Sequence, residues 1–505
     1  MANKPEFLNA LNNSKLQLCL VFLLAFVAAF WRYWPLMPHV FLGDDLAYLL
    51  AFKDGHCGTV FSQLLTTACM DKFRPVANGF IMLELNLFDL AFTNYMAVNV
   101  LLQAISATLV FAIAHRLSKG SLLVAFSIAI AVATSRFAAY QVTQVMGPVE
   151  GLALPLFLGV IYSIIRADGR QENAWRWGWI AISLSFLLIH NHERYIMIAI
   201  WMGVAFVVLP KFRTLPGKRL AALLLACIVL PVFNATYKIL VLHSPFLVGT
   251  AGTDLDFNPA RIVEHLDQAV LSIIGVNKGP EYLVGVRLIS LPWYPARILA
   301  LTFAFTVIIF IVMGIKGAFE KQHRSLSAPF WLSVRWPILL SLLAFLLLVP
   351  AISTIRLEQR WIFAPFILML LVSAWAVGQW ENRTRVIIWP LIIILSASSI
   401  LLDSLVVKHF DQVYFVYAAR FADMVKRDIA DKYPGQSSGI ILLAKSEHCE
   451  WTLNNGGFFR IYGGHAREVK CLGGNPTPSE ASNNTEMRVF AEIPPGHLSD
   501  VTNAR

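Results

Sequence analysis

Long apolar runs recur along nearly the whole chain, and this feature limits the possible folds more than any other. A run of about 18 or more apolar residues is long enough to cross a bilayer as a helix. Because 57% of the residues are hydrophobic and only 14% are charged, the sequence predicts a polytopic membrane protein rather than a soluble one. Eleven candidate spans are identified, at 16–36 and near 92–114, 120–139, 148–165, 176–190, 194–210, 220–242, 297–315, 333–352, 361–380 and 386–407.

The basic residues are distributed unevenly between alternate loops. Lys and Arg accumulate in the cytoplasmic loops of membrane proteins. One set of loops holds 15 of them, and the short loops of the opposite set hold four. This asymmetry predicts a cytoplasmic amino terminus and places the Asp44 loop and the carboxyl-terminal region outside. The membrane that we expect is a bacterial inner membrane, which makes the outer side periplasmic. It also accounts for much of the net charge of +10, so the charge does not imply a nucleic-acid partner.

The composition changes near residue 408, which predicts two domains. Residues 1–407 are expected to form an all-α transmembrane bundle with amphipathic helices on its outer face, such as those predicted in "NGFIMLELNLFDLAF" and "PARIVEHLDQAVLSIIG". Residues 408–505 are expected to form a small α/β domain outside the membrane. In that region "VYFVYAARFADMVKRDIADKY" has helical spacing, whereas "GIILLAK" and "MRVFAEI" are typical of short strands.

Four of the six cysteines fall into two local pairs on the predicted outer side. Cys57 and Cys69 share the first outer loop, and Cys449 and Cys471 share the carboxyl-terminal region. Disulfides persist in oxidising compartments such as the periplasm. We therefore predict a disulfide within each pair, although spacing alone leaves free thiols as an alternative.

Two adjacent carboxylates, Asp44 and Asp45 in "FLGDDLAYLL", follow the first span directly. Two like charges in contact raise one of the two pKa values, and a carboxylate at the membrane surface can accept a proton from a substrate hydroxyl as general base. The alternative is that the pair only caps a surface helix that begins at "LAYL".

Further charged residues lie near the outer ends of other spans. A guanidinium group binds phosphate through paired hydrogen bonds, whereas the alternative for each arginine is an ion pair with a lipid headgroup or a nearby carboxylate. His190 and His192 lack an obvious completing ligand for a metal. The sequence thus predicts no required cofactor, and a divalent metal has no support. The residues concerned are Arg74, Glu193, Arg194, Arg356 and Arg360.

The order of these motifs resembles a known family. The Asp-Asp pair is followed by "FRPVANGFIMLELNLFDLAF", then by "LLIHNHERYIMIAIW", then by "RLEQRWIFAPFILML". This order is similar to the GT-C fold of integral-membrane glycosyltransferases, in particular the protein O-mannosyltransferases that carry TPR repeats and their bacterial relatives. The resemblance covers about residues 20–380. The chain departs from the TPR-bearing relatives because no repeats follow the bundle, so a protein acceptor does not follow from the resemblance.

The resemblance implies a reaction and a role for each matching residue. Such enzymes transfer a sugar from a polyprenyl-phosphate donor to an acceptor at the outer face, usually with inversion. Asp44 would be the general base and Asp45 would support it. The remaining matching positions are Arg74, Arg356 and Arg360 for the donor phosphate, and Glu193, His192 and Glu358 for the substrate cavity.

The acceptor expected from the resemblance is an envelope polysaccharide, a lipid-linked glycan or a protein. One such setting is O-antigen or lipopolysaccharide modification with an undecaprenyl-linked donor, where a donor-lipid synthase and a small flippase would be partners. Three alternatives stay open: an O-antigen polymerase or ligase, a lipid or oligosaccharide flippase, and a non-enzymatic scaffold. A flippase needs charges inside its bundle, whereas the notable charges here collect near the predicted outer ends of the spans.

Overall fold

A computed structural model describes residues 14–59, 62, 73–169, 173–243, 255–273, 294–324, 330–355, 357–380, 382–407, 414–434, 439–443, 449–465, 468–472, 487–492 and 496–502. The chain is mainly helical. Its α-helices are Ser14–Tyr33, Gly43–Lys53, Pro75–Phe88, Phe92–Leu117, Leu122–Ala133, Ala139–Thr143, Pro148–Gly151, Ala153–Ala167, Ala174–Asn191, Ile198–Val208, Pro210–Arg213, Gly217–Thr236, Pro259–Ile273, Tyr294–Arg324, Phe330–Ile352, Phe363–Gly378, Asn382–Val407, Tyr414–Val425, Cys449–Thr452 and Gly457–Tyr462.

Shorter helical segments and four strands complete the described elements. Two π-helical segments, Tyr237–Val241 and Lys426–Ala430, extend longer helices. The 3-10 segments are Trp34–Leu36, Arg136–Ala138, Glu193–Met197, Gln359–Ile362 and Asn454–Gly456. The strands are β1 (Gly439–Leu443), β2 (Val469–Cys471), β3 (Met487–Glu492) and β4 (Leu498–Asp500).

Eight helices in the described part of the chain are long and apolar enough to cross a membrane, or nine if the bent pair Leu122–Ala133 and Arg136–Thr143 is one span. The chain is therefore a multi-pass membrane protein. The predicted spans near 176–190 and 194–210 are also helical, but they fall outside this set. Polar residues lower the hydropathy of Ala174–Asn191, and Ile198–Val208 is only 11 residues long because the 3-10 segment Glu193–Met197 precedes it.

The chain divides into two compact units. The first, here called the bundle unit, comprises Met1–Pro35, Val98–Val142 and Gly147–His409. The second, the mixed unit, comprises Leu36–Ala97, Thr143–Met146 and Phe410–Arg505. The predicted boundary near 408 falls at the last border of these units, but the loop predicted to be the first outer loop belongs to the same unit as the carboxyl-terminal region.

The helix Phe363–Gly378 forms the core of the bundle unit and is buried along nearly its whole length. It packs against Phe330–Ile352 and Tyr294–Arg324. Small residues allow close approach at these contacts. A Cβ atom added at Gly314 would lie 2.7 Å from the Cβ of Ala376 and 2.7 Å from the indole ring of Trp375, so the close approach of these two helices depends on the glycine.

The mixed unit contains a four-stranded sheet in the order β2-β1-β3-β4. Strand β1 pairs in parallel with β2 and β3, and β4 is antiparallel to β3. Apolar side chains Ile441, Met487 and Val489 form a buried cluster on the sheet. The predicted helix and both predicted strands of this region are present, as are helices in the two outer-loop segments, Pro75–Phe88 and Pro259–Ile273. The predicted fold class, a polytopic helical bundle with a small α/β region, is confirmed.

Candidate functional site

The two adjacent aspartates begin the helix Gly43–Lys53, here called the acidic-pair helix. The helix starts after Leu42, whose backbone is extended and whose side chain makes no capping bond. The interpretation of the pair as a helix cap is therefore wrong, since neither aspartate is the capping residue. Asp44 is exposed, whereas Asp45 is 2% exposed. Two chemically identical neighbours thus have very different environments.

Asp45 is fixed by the backbone of a distant segment of the same unit. Its two carboxyl oxygens accept hydrogen bonds from the backbone N–H groups of Val145 and Met146, both at 2.8 Å. Burial raises the pKa of Asp45 to about 7, and the Asp44 charge also raises it, while the two N–H donors oppose this shift. Two fixed donors suit an orienting role for this carboxyl group, because they leave it little freedom to rotate.

Asp44 has a different kind of partner. Its Oδ1 atom accepts a hydrogen bond from the indole Nε1–H of Trp451 at 3.0 Å. The Trp451 ring also packs against the backbone of Gly43. Gly43 has a φ of +53°, in the left-handed region that favours glycine. The exposed carboxylate is therefore oriented from one side, and it remains accessible to solvent.

The predicted phosphate ligand Arg74 lies in the same unit and immediately precedes the helix Pro75–Phe88. It is half-buried, and its carbonyl oxygen accepts the N–H of Asn78 at 2.8 Å. Pro75 occupies the first turn, where a missing N–H costs nothing. The hydroxyl of Tyr48 donates to the Asn78 side chain at 2.9 Å, so this helix is bonded directly to the acidic-pair helix.

Glu84, on the helix Pro75–Phe88, is a buried carboxyl group near Asp45 that the sequence interpretation did not single out. It is 3% exposed, and within the described residues neither of its carboxyl oxygens has a hydrogen-bond partner. Burial raises the pKa of Glu84 to about 8, and the nearby Asp45 carboxylate raises it further. This raised pKa favours the protonated form of Glu84. In the sequence it is a single carboxylate within the apolar stretch "FIMLELNLF".

A second cluster of charged residues lies in the bundle unit, around Glu150. Its Oε1 atom is 3.1 Å from His192 Nε2 and 3.1 Å from Arg194 Nη1. The backbone N–H of Arg194 donates to His192 Nδ1 at 3.3 Å, so His192 presents Nε2–H to the glutamate. The side chain of Glu193 is 28% exposed. The sequence interpretation missed Glu150, although it too is an isolated carboxylate among apolar residues.

The late motif "RLEQRW" contributes the other half of this cluster. Arg360 forms an ion pair with the fully buried Glu358, and its guanidinium group stacks on Tyr140 at 3.8 Å from the ring centre. The guanidinium group of Arg194 stacks on Trp361 at 4.1 Å. Glu150 also lies within electrostatic range of Arg360. The structure therefore brings the predicted residues His192, Glu193, Glu358 and Arg360 into one region of the bundle unit.

The remaining predictions concern Arg356, the four paired cysteines and a metal site. Arg356 and Cys69 lie outside the described residues. Cys57 is disulfide-bonded, and Cys449 is bonded to Cys471 with a Cα–Cα distance of 6.1 Å. In the parts of the chain that the structure describes, no group of three or more His, Cys, Asp or Glu side chains is arranged to hold a metal ion.

Two solved structures are similar to this chain. One is the crystal structure of ArnT from Cupriavidus metallidurans in the apo state, with a TM-score of 0.48 and 9% sequence identity over 94% of this chain and 92% of that chain. The other is the Archaeoglobus fulgidus oligosaccharyltransferase in the apo form, with a TM-score of 0.47 and 12% identity over 92% of this chain and 65% of that chain. Both are similarities of fold alone. No protein-family model and no curated protein sequence matches the chain.

Proposed function

We propose that this protein is a GT-C-type membrane glycosyltransferase. It transfers a sugar from a polyprenyl-phosphate donor to a glycan, lipid or protein acceptor at the periplasmic face of a bacterial inner membrane, with inversion at the anomeric carbon. The single observation that carries this proposal is the unequal aspartate pair. Asp44 is exposed and oriented by Trp451, while its neighbour Asp45 is buried and held by two backbone N–H groups.

The chemistry of an inverting transfer matches these environments. The Asp44 carboxylate accepts the proton of the acceptor hydroxyl, and the resulting oxygen nucleophile forms a bond to the anomeric carbon. The bond between that carbon and the phosphate oxygen breaks, so polyprenyl phosphate leaves as an anion. Asp45 does not take the proton. Its fixed carboxyl group instead holds the first turn of the acidic-pair helix in place.

Guanidinium groups provide the counter-charge for the leaving phosphate. Arg74 is the candidate for this role in the unit that holds Asp44, and the family resemblance implies the same role for Arg356 and Arg360. A cation beside a developing phosphate charge lowers the barrier, because its attraction increases as the bond breaks. The stacking of Arg360 on Tyr140 fixes the plane of its guanidinium group, which favours paired hydrogen bonds to phosphate.

The orientation in the membrane is supported by the loop charges. The basic loops face the cytoplasm under the usual distribution of Lys and Arg, which leaves Asp44 on the periplasmic side. A polyprenyl phosphate carries its own membrane anchor, so the enzyme binds its donor from the bilayer and requires no nucleotide site.

The proposal is tested with purified protein in nanodiscs, a panel of radiolabelled polyprenyl-phosphate sugars and an envelope glycan extract. We expect label to move from one donor to the glycan or lipid fraction, with an equal amount of polyprenyl phosphate released. Polymerisation of a preassembled glycan without use of any monosaccharide donor would instead favour the polymerase or ligase alternative. Movement of donor across the bilayer without release of polyprenyl phosphate would favour a flippase.

A further inference from the structure

The segment Cys449–Tyr462, here called the contact segment, contacts the acidic-pair helix and the residues just before and after it. The Tyr462 hydroxyl accepts the backbone N–H of Phe41 at 2.8 Å. At the far end of the helix, Arg460 Nη1 donates to Asp54 Oδ2 at 2.9 Å. All of these residues belong to the mixed unit. The carboxyl-terminal region is thus bonded to both ends of the helix that carries the candidate base.

Trp451 makes the contact with the reactive carboxylate. Its indole N–H donates to Asp44 Oδ1 at 3.0 Å, and its ring covers the backbone of Gly43. A Cβ atom added at Gly43 would lie 2.2 Å from the Trp451 ring, a distance that no real side chain tolerates. The indole ring therefore occupies space that only a glycine leaves open, directly beside the candidate base.

The position of Trp451 is itself held by a covalent link. Cys449 and Trp451 lie on the same short helix, Cys449–Thr452. Cys449 is bonded to Cys471, the last residue of β2, and that strand pairs in parallel with β1. The indole group is consequently attached to the sheet rather than to a free loop.

We propose that Trp451 is a positioning residue for Asp44, and that the carboxyl-terminal region therefore completes the catalytic apparatus. This inference rests on the proposed function. An indole N–H is a hydrogen-bond donor only, so it can orient a carboxylate without competing for the proton. With Oδ1 held by Trp451, Oδ2 is the oxygen that accepts the proton of the acceptor hydroxyl.

The first test replaces Trp451 by Phe, which keeps an aromatic ring and removes the N–H group. A hydrogen bond to a charged group contributes enough that its loss lowers kcat roughly 10- to 100-fold, and we expect the KM for donor to stay unchanged. The matched control is Asp54→Asn, which weakens the contact with Arg460 at the far end of this helix. We expect the control to lower the melting temperature without lowering kcat.

A second pair of variants tests the position of the indole ring while leaving Trp451 itself unchanged. Gly43→Ala places a Cβ atom inside the Trp451 ring, whereas Gly55→Ala meets nothing within 4 Å. Both glycines have positive φ, so the two variants carry comparable backbone strain. We expect kcat to fall in Gly43→Ala and to remain near the wild-type value in Gly55→Ala.

The contact is also measured directly by NMR of 15N-indole-labelled protein in nanodiscs. The Nε1–H resonance that disappears in Trp451→Phe is assigned to Trp451. We expect this resonance to shift in Asp44→Asn and not in Asp54→Asn. If the chemical shift of this resonance is unchanged in Asp44→Asn, the inference is overturned whatever the activity data show.

The outcomes separate this inference from the proposed function. If the wild-type protein transfers sugar, and Trp451→Phe and Gly43→Ala match their controls in kcat, the positioning role is overturned and the transferase function stands. If the wild-type protein transfers no sugar from any donor, the proposed function fails and the positioning role fails with it. A selective loss of kcat in both variants, together with the shifted resonance, supports both.

Discussion

The two units of this molecule differ in whether the buried charged side chains compared here have a partner of opposite charge. In the bundle unit, buried charges are paired: Glu150 contacts Arg194, Arg136 contacts Asp403, and Glu358 contacts Arg360. In the mixed unit, the Asp45 carboxyl group accepts hydrogen bonds from two backbone N–H groups, and among the described residues the carboxyl oxygens of the nearby buried Glu84 have no hydrogen-bond partner.

This difference has an energetic meaning. A paired buried charge loses several kcal/mol when one partner is removed, but it costs little while the pair is intact. A buried carboxyl group without a donor is unfavourable in the intact protein, because it must either lose its charge or remain desolvated. Such a cost is typically found where function requires it. We therefore place the proposed proton acceptor in the mixed unit, whereas the buried charges named in the bundle unit are balanced in pairs.

The largest stability effect is expected in the bundle unit, from Arg136→Met. Arg136 Nη1 donates to Asp403 Oδ1 at 2.7 Å, and its Nη2 donates to the Ser272 carbonyl at 2.9 Å. The substitution leaves the Asp403 charge buried without its cation, so we expect a loss of about 3–5 kcal/mol in unfolding free energy. The measurement is denaturant unfolding in a lipid-like detergent. The double variant Arg136→Met/Asp403→Leu should recover most of the loss, and no recovery would contradict the pairing account.

A smaller effect is expected from the disulfide of the mixed unit. Cys471→Ser removes the disulfide bond to Cys449, which lies 22 positions earlier in the chain. Because the link restricts the unfolded chain, its loss should cost about 2–4 kcal/mol. Limited proteolysis of the carboxyl-terminal region should become faster, while Cys227→Ser, which alters a buried free thiol, serves as the control. Equal proteolysis rates in both variants would show that the disulfide does not stabilise this region.

Glu84→Gln is expected to stabilise the protein, which is the reverse of the bundle-unit result. The folded pKa of Glu84 is about 8, above its ordinary value of 4.5. The unfolded chain therefore releases this proton first, and stability falls as pH rises from about 4.5 to about 8. Glutamine has no proton to lose, so the variant should gain about 1–3 kcal/mol at pH 8 and little at pH 5. Thermal unfolding at both pH values measures this difference, and a gain that is equal at pH 5 and pH 8 would contradict it.

The smallest effect is expected for an exposed ion pair. Lys53 and Asp89 are 2.9 Å apart in the mixed unit, and their side chains are 35% and 66% exposed. Solvent screens such pairs, so Lys53→Met should change the unfolding free energy by about 0–1 kcal/mol. A loss comparable to that of Arg136→Met would remove the distinction between buried and exposed charges on which the comparison depends.

The sequence was sufficient to predict most of the architecture. Apolar length identified the helices, and short strand patterns identified β1 and β3, because these features depend on local composition. It also singled out Asp44 and Asp45 as neighbours, but their difference in burial depends on Val145 and Met146, about 100 residues away in the chain. No local pattern indicates such a contact.

The residues that were missed show the same limit. Trp451 is separated from Asp44 by 407 positions, and nothing in "CEWT" indicates a carboxylate partner. Glu84 and Glu150 are different, since each is a single carboxylate within an apolar stretch, and that pattern could have identified both. The pairings of Glu150 with His192 and Arg194 required the three-dimensional structure, because helix ends far apart in sequence provide them.

The most direct test of the account compares Asp44→Asn with Asp54→Asn in the radiolabelled transfer assay. Both residues are aspartates associated with the same helix, and each contacts the contact segment. Asparagine at 44 keeps an oxygen that can accept the Trp451 N–H, so the variant should fold and bind donor. A general base contributes about 10²- to 10⁴-fold to the rate. We predict a loss of that size for Asp44→Asn and no loss for Asp54→Asn, whereas equal activity of the two folded variants would contradict the role of Asp44 as general base.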